Sequence, residues 1–329
     1  MRFLARALLF AGLVLTACND SAGTHDSGSI DSGSLDSGVK ADAGAVPHTH
    51  YVVSTLSVPN NNQQARAFGL DLNDDGTVDN QVGQLSATLA MQGLENDATQ
   101  VAIDTGATTV LLDVAAADFT TATAASVRIL AGSNPMPAAC RSDAGPCRQH
   151  LDGGASFTVL PQTPELPALK GSISAGVLNA GPGDLALAVS ILGSSPIALQ
   201  LKVARVRLGG ITASGVQTGI IAGGITASER DTTLYPSMQA SYATLVARDC
   251  TQRTTPPGCG CANGSTGATL LGLFDADVKD CAISVSEIQT NALISTLFAP
   301  DLVFDGGTDF LSFGVQISAV NGVYTVAGE

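Results

Sequence analysis

The sequence predicts a mainly β fold with inserted helices, an α+β chain whose body is an antiparallel β-sandwich or jelly roll and whose C-terminal region is helical. Two observations predict it. Short alternating or β-branched runs recur at 99–104, 109–114, 126–131, 155–160, 185–192, 196–208, 211–222, 311–319 and 322–327, punctuated by Gly, Pro, Asn and Asp. Three longer stretches carry helical periodicity instead. Residues 80–92 follow an Asp-Gly turn and stop at Gly93. Residues 234–249 place Leu234, Met238, Tyr242 and Leu245 on one face, with Pro236 tolerated in the first turn. Residues 284–298 open on Ser284 with Glu287 three residues later, the spacing of a capping box. The sandwich is expected near 51–230, and no linker interrupts the body.

Composition narrows the function. Of 329 residues, 45% are hydrophobic, enough for a sizeable core and against wholesale disorder. Acidic side chains outnumber basic ones 29 to 15, a net charge of −14. Phosphate binding requires a cationic face, so nucleic acid is excluded as a partner. Divalent cations and basic surfaces remain.

The N-terminus gives an address. Arg2 and Arg6 precede an apolar run from Ala7 to Leu15, the plan of a signal peptide over residues 1–17. It ends in Leu15-Thr16-Ala17-Cys18, which resembles the lipobox of bacterial lipoproteins, in which the Cys is lipidated and the peptide before it removed. Asn19 differs from the Asp that holds enteric lipoproteins in the inner membrane, so the resemblance implies an outer-membrane anchor, periplasmic or surface-facing. Residues 18–47 then contain Asp26-Ser27-Gly28, Asp31-Ser32-Gly33 and Asp36-Ser37-Gly38, a flexible acidic tether without an apolar face. The body, residues 48–329, follows.

Beyond Cys18, six cysteines remain: Cys140, Cys147, Cys250, Cys259, Cys261 and Cys281. An even number in an exported chain predicts three disulfides. The turn Ser142-Asp143-Ala144-Gly145-Pro146 brings Cys140 to Cys147, and the neighbours Cys259 and Cys261 pair with Cys250 and Cys281 in either order. A zinc cluster built on the Cys259/Cys261 pair and His150 matches no common ligand spacing.

Two acidic loops carry most of the chemistry. Asp71-Leu72-Asn73-Asp74-Asp75-Gly76-Thr77-Val78-Asp79 fits D-x-N-x-D-G-x-x-D. Alternate oxygens at Asp71, Asn73 and Asp75 face one point, Gly76 allows the sharp bend, Thr77 offers its carbonyl and Asp79 closes the shell. Ca²⁺ suits such a site because it takes six to eight hard oxygens in loose geometry. The loop resembles those of EF-hands, dockerins, thrombospondin type 3 repeats and integrin-type propellers, with Val82 where an EF-hand has its twelfth-position Glu. A second loop, 275–287, becomes EF-hand-like once one residue near Lys279 is set aside. Asp275, Asp277 and Asp280 then take positions one, three and five, Cys281 stands where Gly bends the chain, Ala282 donates its carbonyl, and Glu287 is the closing ligand.

Enzyme signatures are sparse. Val101-Ala102-Ile103-Asp104-Thr105-Gly106 resembles the catalytic turn of aspartic proteases, with Asp104 as the candidate acid, and Gly219-Ile220-Ile221-Ala222-Gly223 loosely resembles their later element. That chemistry needs two facing carboxylates, and the body has no second D-[TS]-G, so only a homodimer would complete it. There is no G-x-S-x-G elbow, dinucleotide fingerprint or P-loop. His150 beside Asp152 is a weak candidate base.

Taken together, the lipobox, the tether, Phe68-Gly69-Leu70-Asp71, Asp249-Cys250, Cys259-Gly260-Cys261 and Leu273-Phe274-Asp275 resemble an uncharacterised family of lipoproteins from myxobacteria and similar Gram-negative bacteria. The resemblance covers most of 51–329 and implies no activity. The expectation is an outer-membrane lipoprotein with a calcium-stabilised β-rich body. It would act as a surface binding or structural module toward a glycan or a protein, with an extracytoplasmic hydrolase, dimeric aspartic-protease-like or glycan-active, as the alternative.

Overall fold

The computed structural model describes residues 46–91, 98–140, 147–162, 165–189, 196–251, 259–276, 279–304 and 308–326. The expected signal peptide, Cys18 and nearly all of the expected tether lie outside the described residues, as do Asp277 and residues 142–146.

Strand β1 (His48–Ser57) leads into three helices, α1 (Asn62–Ala67), α2 (Gln81–Met91) and α3 (Ala98–Asp104). Then come β2 (Thr109–Ala116), β3 (Ala122–Met136), a 3₁₀ turn (Gln149–Leu151), β4 (Ala155–Val159), β5 (Leu169–Ser174), β6 (Val177–Val189), β7 (Ile197–Thr212) and β8 (Gly215–Ile225). A helical stretch follows: α4 (Ala227–Glu229), a π turn (Arg230–Leu234), α5 (Tyr235–Asp249), α6 (Thr266–Phe274), α7 (Val285–Thr290) and α8 (Ala292–Leu297). The hairpin strand β9 (Leu302–Phe304) and the long β10 (Thr308–Val323) complete the order.

The expected sandwich or jelly roll is overturned. Eight strands pair in the ring β1–β2–β3–β5–β6–β7–β8–β10, and β10 returns to β1, every pair antiparallel. The result is a closed antiparallel barrel, with strands at 43% of the chain and only short helices. A sandwich would need a break between two sheets, and here each of the eight strands has partners on both sides. Strand β4 fills the gap left where β3 departs from β5. It pairs antiparallel with the far end of β3 and parallel with Gly322 and Val323 of β10.

Alternation explains which side faces in. Along β7, Leu199, Leu201, Ala204, Val206, Leu208 and Ile211 are buried, while Gln200, Arg207 and Thr212 are exposed. The phase slips between Lys202 and Arg205, where the ladder to β8 also shifts register. Similar shifts interrupt β1, β6 and β10. Such bulges bend strands and let a sheet of this length curl shut.

Other local expectations are corrected too. Residues 99–104 are helix α3, not a strand. Residues 311–319 and 322–323 belong to one strand, β10, and 284–298 breaks into α7 and α8 at Asn291, whose side chain caps the second piece. Ser284 and Glu287 do form the capping box. The C-terminal helices pack through aromatic pairs, Tyr242 on Phe274 at 5.1 Å and Tyr235 on Phe298 at 5.4 Å.

Three disulfides join Cys140 to Cys147, Cys250 to Cys261 and Cys259 to Cys281.

Candidate metal loops

The first acidic loop lies against the barrel wall. Leu72 is fully buried in a satellite cluster with Ala222 of β8, Leu302 of β9 and Phe310 of β10, and Leu70, Val203 and Ile220 pack beside it. Leu70 and Asp79 bridge the loop's two ends, the Asp79 N–H donating to the Leu70 carbonyl at 3.0 Å. Between them the acidic side chains fold inward onto the loop's own backbone. The Asp71 carboxylate accepts from the N–H groups of Asp75 and Gly76 (3.2 and 2.9 Å), Asn73 Oδ1 accepts from Asp75 (3.3 Å), and Asp75 accepts from Thr77 (2.7 Å). Gly76 takes φ +85°, a conformation closed to most side chains. Asp79 accepts from the Leu72 N–H at 2.7 Å.

Charge is distributed unevenly here. Arg205 of β7 makes a bidentate pair at 2.8 and 2.6 Å, but with Asp74, the residue the ligand pattern leaves out. That guanidinium holds the Asp74 carboxyl below its usual range, and the Thr77 N–H does the same for Asp75. Asp79 goes the other way. Burial, together with the charges of Asp301, Asp75 and Asp71, pushes its carboxyl up to about 6 against the relief given by the Leu72 N–H. Asp301 is bound by the N–H of Ser312 at 2.7 Å and by its hydroxyl, which fixes a fourth acid next to the loop.

A raised carboxyl sets the sign of a pH effect. Folded protein holds the Asp79 proton more tightly than unfolded chain does, so this group stabilises the metal-free fold most below pH 4. The contribution fades as pH rises from about 4 to about 6. Asp79→Asn keeps an acceptor for Leu72 and removes the charge. We expect metal-free Asp79→Asn to be more stable than the parent by about 1 kcal/mol at pH 7, after allowance for solvent screening, and no more stable at pH 4. Urea melts in EDTA at the two pH values measure this. Equal differences at both would disprove it.

The second loop is placed differently. Asp275 and Glu287, its first and last positions, are both at least nine-tenths buried. One Asp275 oxygen accepts from the Cys281 N–H at 3.0 Å, and one Glu287 oxygen accepts from the Ser284 N–H and hydroxyl at 2.7 and 2.9 Å. The other oxygen of each, Asp275 Oδ1 and Glu287 Oε1, is buried without a partner. Asp280 is exposed and caps the Ala282 N–H at 3.0 Å. Lys279 and Cys281 take left-handed φ values of 52° and 66°, which turn the chain where an EF-hand would use Gly. Among the described residues, the three ligand-type side chains whose atoms lie within 4.8 Å of one another are Cys259, Asp275 and Cys281. The two sulfurs are bonded to each other, so they are not thiolate ligands. The carboxylates of Asp71, Asp75 and Asp79 do not all lie within that distance of one another.

Asp104 ends helix α3. It is ion-paired with Arg148 and accepts from Gln100 Nε2 at 2.6 Å. His150 is buried against the Ile103 carbonyl at 3.1 Å, and burial lowers its basicity. An apolar cavity of about 250 Å³ lies between Val110, Leu130, Leu160, Ala186 and Ala198.

Sequence reasoning missed Asn80. Its side chain, 3% exposed, makes four hydrogen bonds: Nδ2 to the carbonyls of Ala65 and Gly314, and Oδ1 from the N–H groups of Gly83 and Gly314. It caps α2 and ties the exit of the first loop to β10. The available signal was its position at the start of a helical pattern.

Comparison with protein-family models, curated proteins and solved structures finds no match to this chain.

Proposed function

We propose that this protein is a lipid-anchored lipoprotein of the outer membrane, of the kind found in myxobacteria. Its barrel body, in this reading, is stabilised by Ca²⁺ and serves as a structural or binding module toward a glycan or protein at the cell surface. The observation that carries calcium is the pair of orphaned oxygens on Asp275 and Glu287, buried at the two ends of one acidic loop. A buried carboxylate oxygen without a donor costs roughly 1–3 kcal/mol or more, and a bound cation removes that cost. The first loop adds four oxygen-bearing side chains turned inward, with its nearest guanidinium engaged elsewhere.

Other features agree with this reading. Three disulfides suit an oxidising, extracytoplasmic compartment. The barrel wall carries Lys170, Gln200 and Arg207 outward over an apolar interior, the reverse of a lipid-embedded barrel with its apolar outer band. Among the described residues no helix is long and apolar enough to cross a membrane. The hydrolase alternative draws little support, because Asp104 is committed to Arg148 and Gln100.

The test is a thermal melt of the oxidised protein in EDTA and in millimolar Ca²⁺. Ligand at about 100 times its dissociation constant adds roughly 2.7 kcal/mol, a rise of several degrees. Glu287→Gln should remove the part due to the second loop and Asp75→Ala the part due to the first. No rise, or a rise untouched by either change, would sink the calcium reading.

A further inference from the structure

His48 and His50 stand two residues apart on β1 and so share one face of the strand. Directly across from His50 on β2 is Asp113, buried to 3% exposure on a strand buried along its whole length. Both imidazoles address the same carboxylate oxygen: His48 Nδ1 lies 2.8 Å from Asp113 Oδ1, and His50 Nε2 lies 3.9 Å from it. The His50 ring is held from behind. It stacks on Tyr324 at 4.4 Å, and the Tyr324 hydroxyl donates to the Leu112 carbonyl at 2.6 Å. Arg128 is the residue opposite Asp113 in the ladder on β3.

We propose that His48, His50 and Asp113 form a binding site for a divalent transition metal, with Zn²⁺ the ion that fits best. Two imidazole nitrogens and one carboxylate oxygen are the donor set of open, three-ligand zinc sites, whereas Ca²⁺ and Mg²⁺ take all-oxygen shells. The two measured separations bracket the ~3.4 Å edge of a tetrahedron built on bonds of about 2.0–2.1 Å. The imidazole nitrogens themselves are further than 4.8 Å apart. Binding therefore draws in the His48 ring, which at 34% side-chain exposure is the more exposed of the two. The ion would clamp the first two strands of the barrel, a site separate from both acidic loops and independent of the calcium reading.

The experiment is calorimetric titration of the untagged, oxidised full-length protein with Zn²⁺ in excess Ca²⁺, repeated with Co²⁺ to read the tetrahedral absorption bands. The expected result is one ion per chain, with affinity reduced at least tenfold in His50→Ala, His48→Gln and Asp113→Asn. His25→Ala, which removes a histidine of the tether, and Asp75→Ala should leave binding unchanged. Binding that survives His50→Ala, binding lost with His25→Ala, or no heat at tens of micromolar protein and ion would each overturn the proposal. If Asp113→Asn fails to fold, the partly exposed His48→Gln carries the same test.

Discussion

Replacing Asn80 with Ala lowers the stability of this protein by about 3 kcal/mol or more, the largest loss expected from truncating one polar side chain. The change removes two donated and two accepted hydrogen bonds at once, all within buried surroundings. It strands the Gly314 N–H and carbonyl in the middle of β10, and each buried backbone group left unpaired costs about 1–3 kcal/mol. Water has little room to take over, because a Cβ on Gly314 would already lie 2.4 Å from the Phe68 carbonyl. The lost cap of α2 adds about 1 kcal/mol. Urea denaturation of the oxidised protein measures the sum. Asn80→Asp is the informative companion: it keeps the acceptor but turns a carboxylate oxygen onto the Ala65 and Gly314 carbonyls, so at pH 7 it should cost at least as much as Asn80→Ala. A loss below about 1 kcal/mol for Asn80→Ala would show that the four bonds do not hold the loop to the barrel.

The second large effect concerns Cys259–Cys281. Converting both to Ser opens a closure of 22 residues, against 7 for Cys140–Cys147. In the chain-entropy account that costs about 3 kcal/mol, against about 2 for the shorter bridge. The longer bridge also fixes Cys281, whose N–H donates to Asp275 and whose left-handed turn shapes the second loop. Its removal should therefore lower both the stability in EDTA and the part of the calcium response that depends on Glu287, while the part removed by Asp75→Ala persists. Denaturation and calcium titration of the double Ser variant give both numbers. A destabilised variant whose calcium response is wholly intact would separate the bridge from the metal loop.

What could be read in advance follows from the range of the interactions involved. Helix α5, α2 and the capping box at Ser284 are local patterns, set within a few residues, and they stand where the sequence places them. Turn length brings Cys140 to Cys147 and crowding keeps Cys259 from Cys261, but which of those two takes Cys250 and which takes Cys281 is decided by tertiary structure. So is closure. An inward-outward alternation is the same in a sandwich and a barrel, and the deciding pairing, Tyr51 with Asn321, joins the two ends of the body. Residues 99–104 were legible only as a β-branched and apolar run, yet tertiary packing makes them helical, with Ile103 fully buried. The His48–Asp113 contact was hidden for the same reason, since it needs the register of β1 on β2, and Asn80 gains its weight from Gly314, 234 residues away.

The meander order of the barrel has a kinetic consequence. Neighbouring strands of the ring are mostly close in sequence, so β5 through β8 can zip as successive hairpins at small entropic cost. The β1–β10 seam is the most distant pairing, because its two sides are the first and last of the described strands and a whole barrel's length of chain must be organised before they meet. Until it forms, β1 and β10 each present a row of unpaired backbone groups, the surface on which other chains nucleate strand pairing. The seam is thus where newly made protein is most exposed to aggregation.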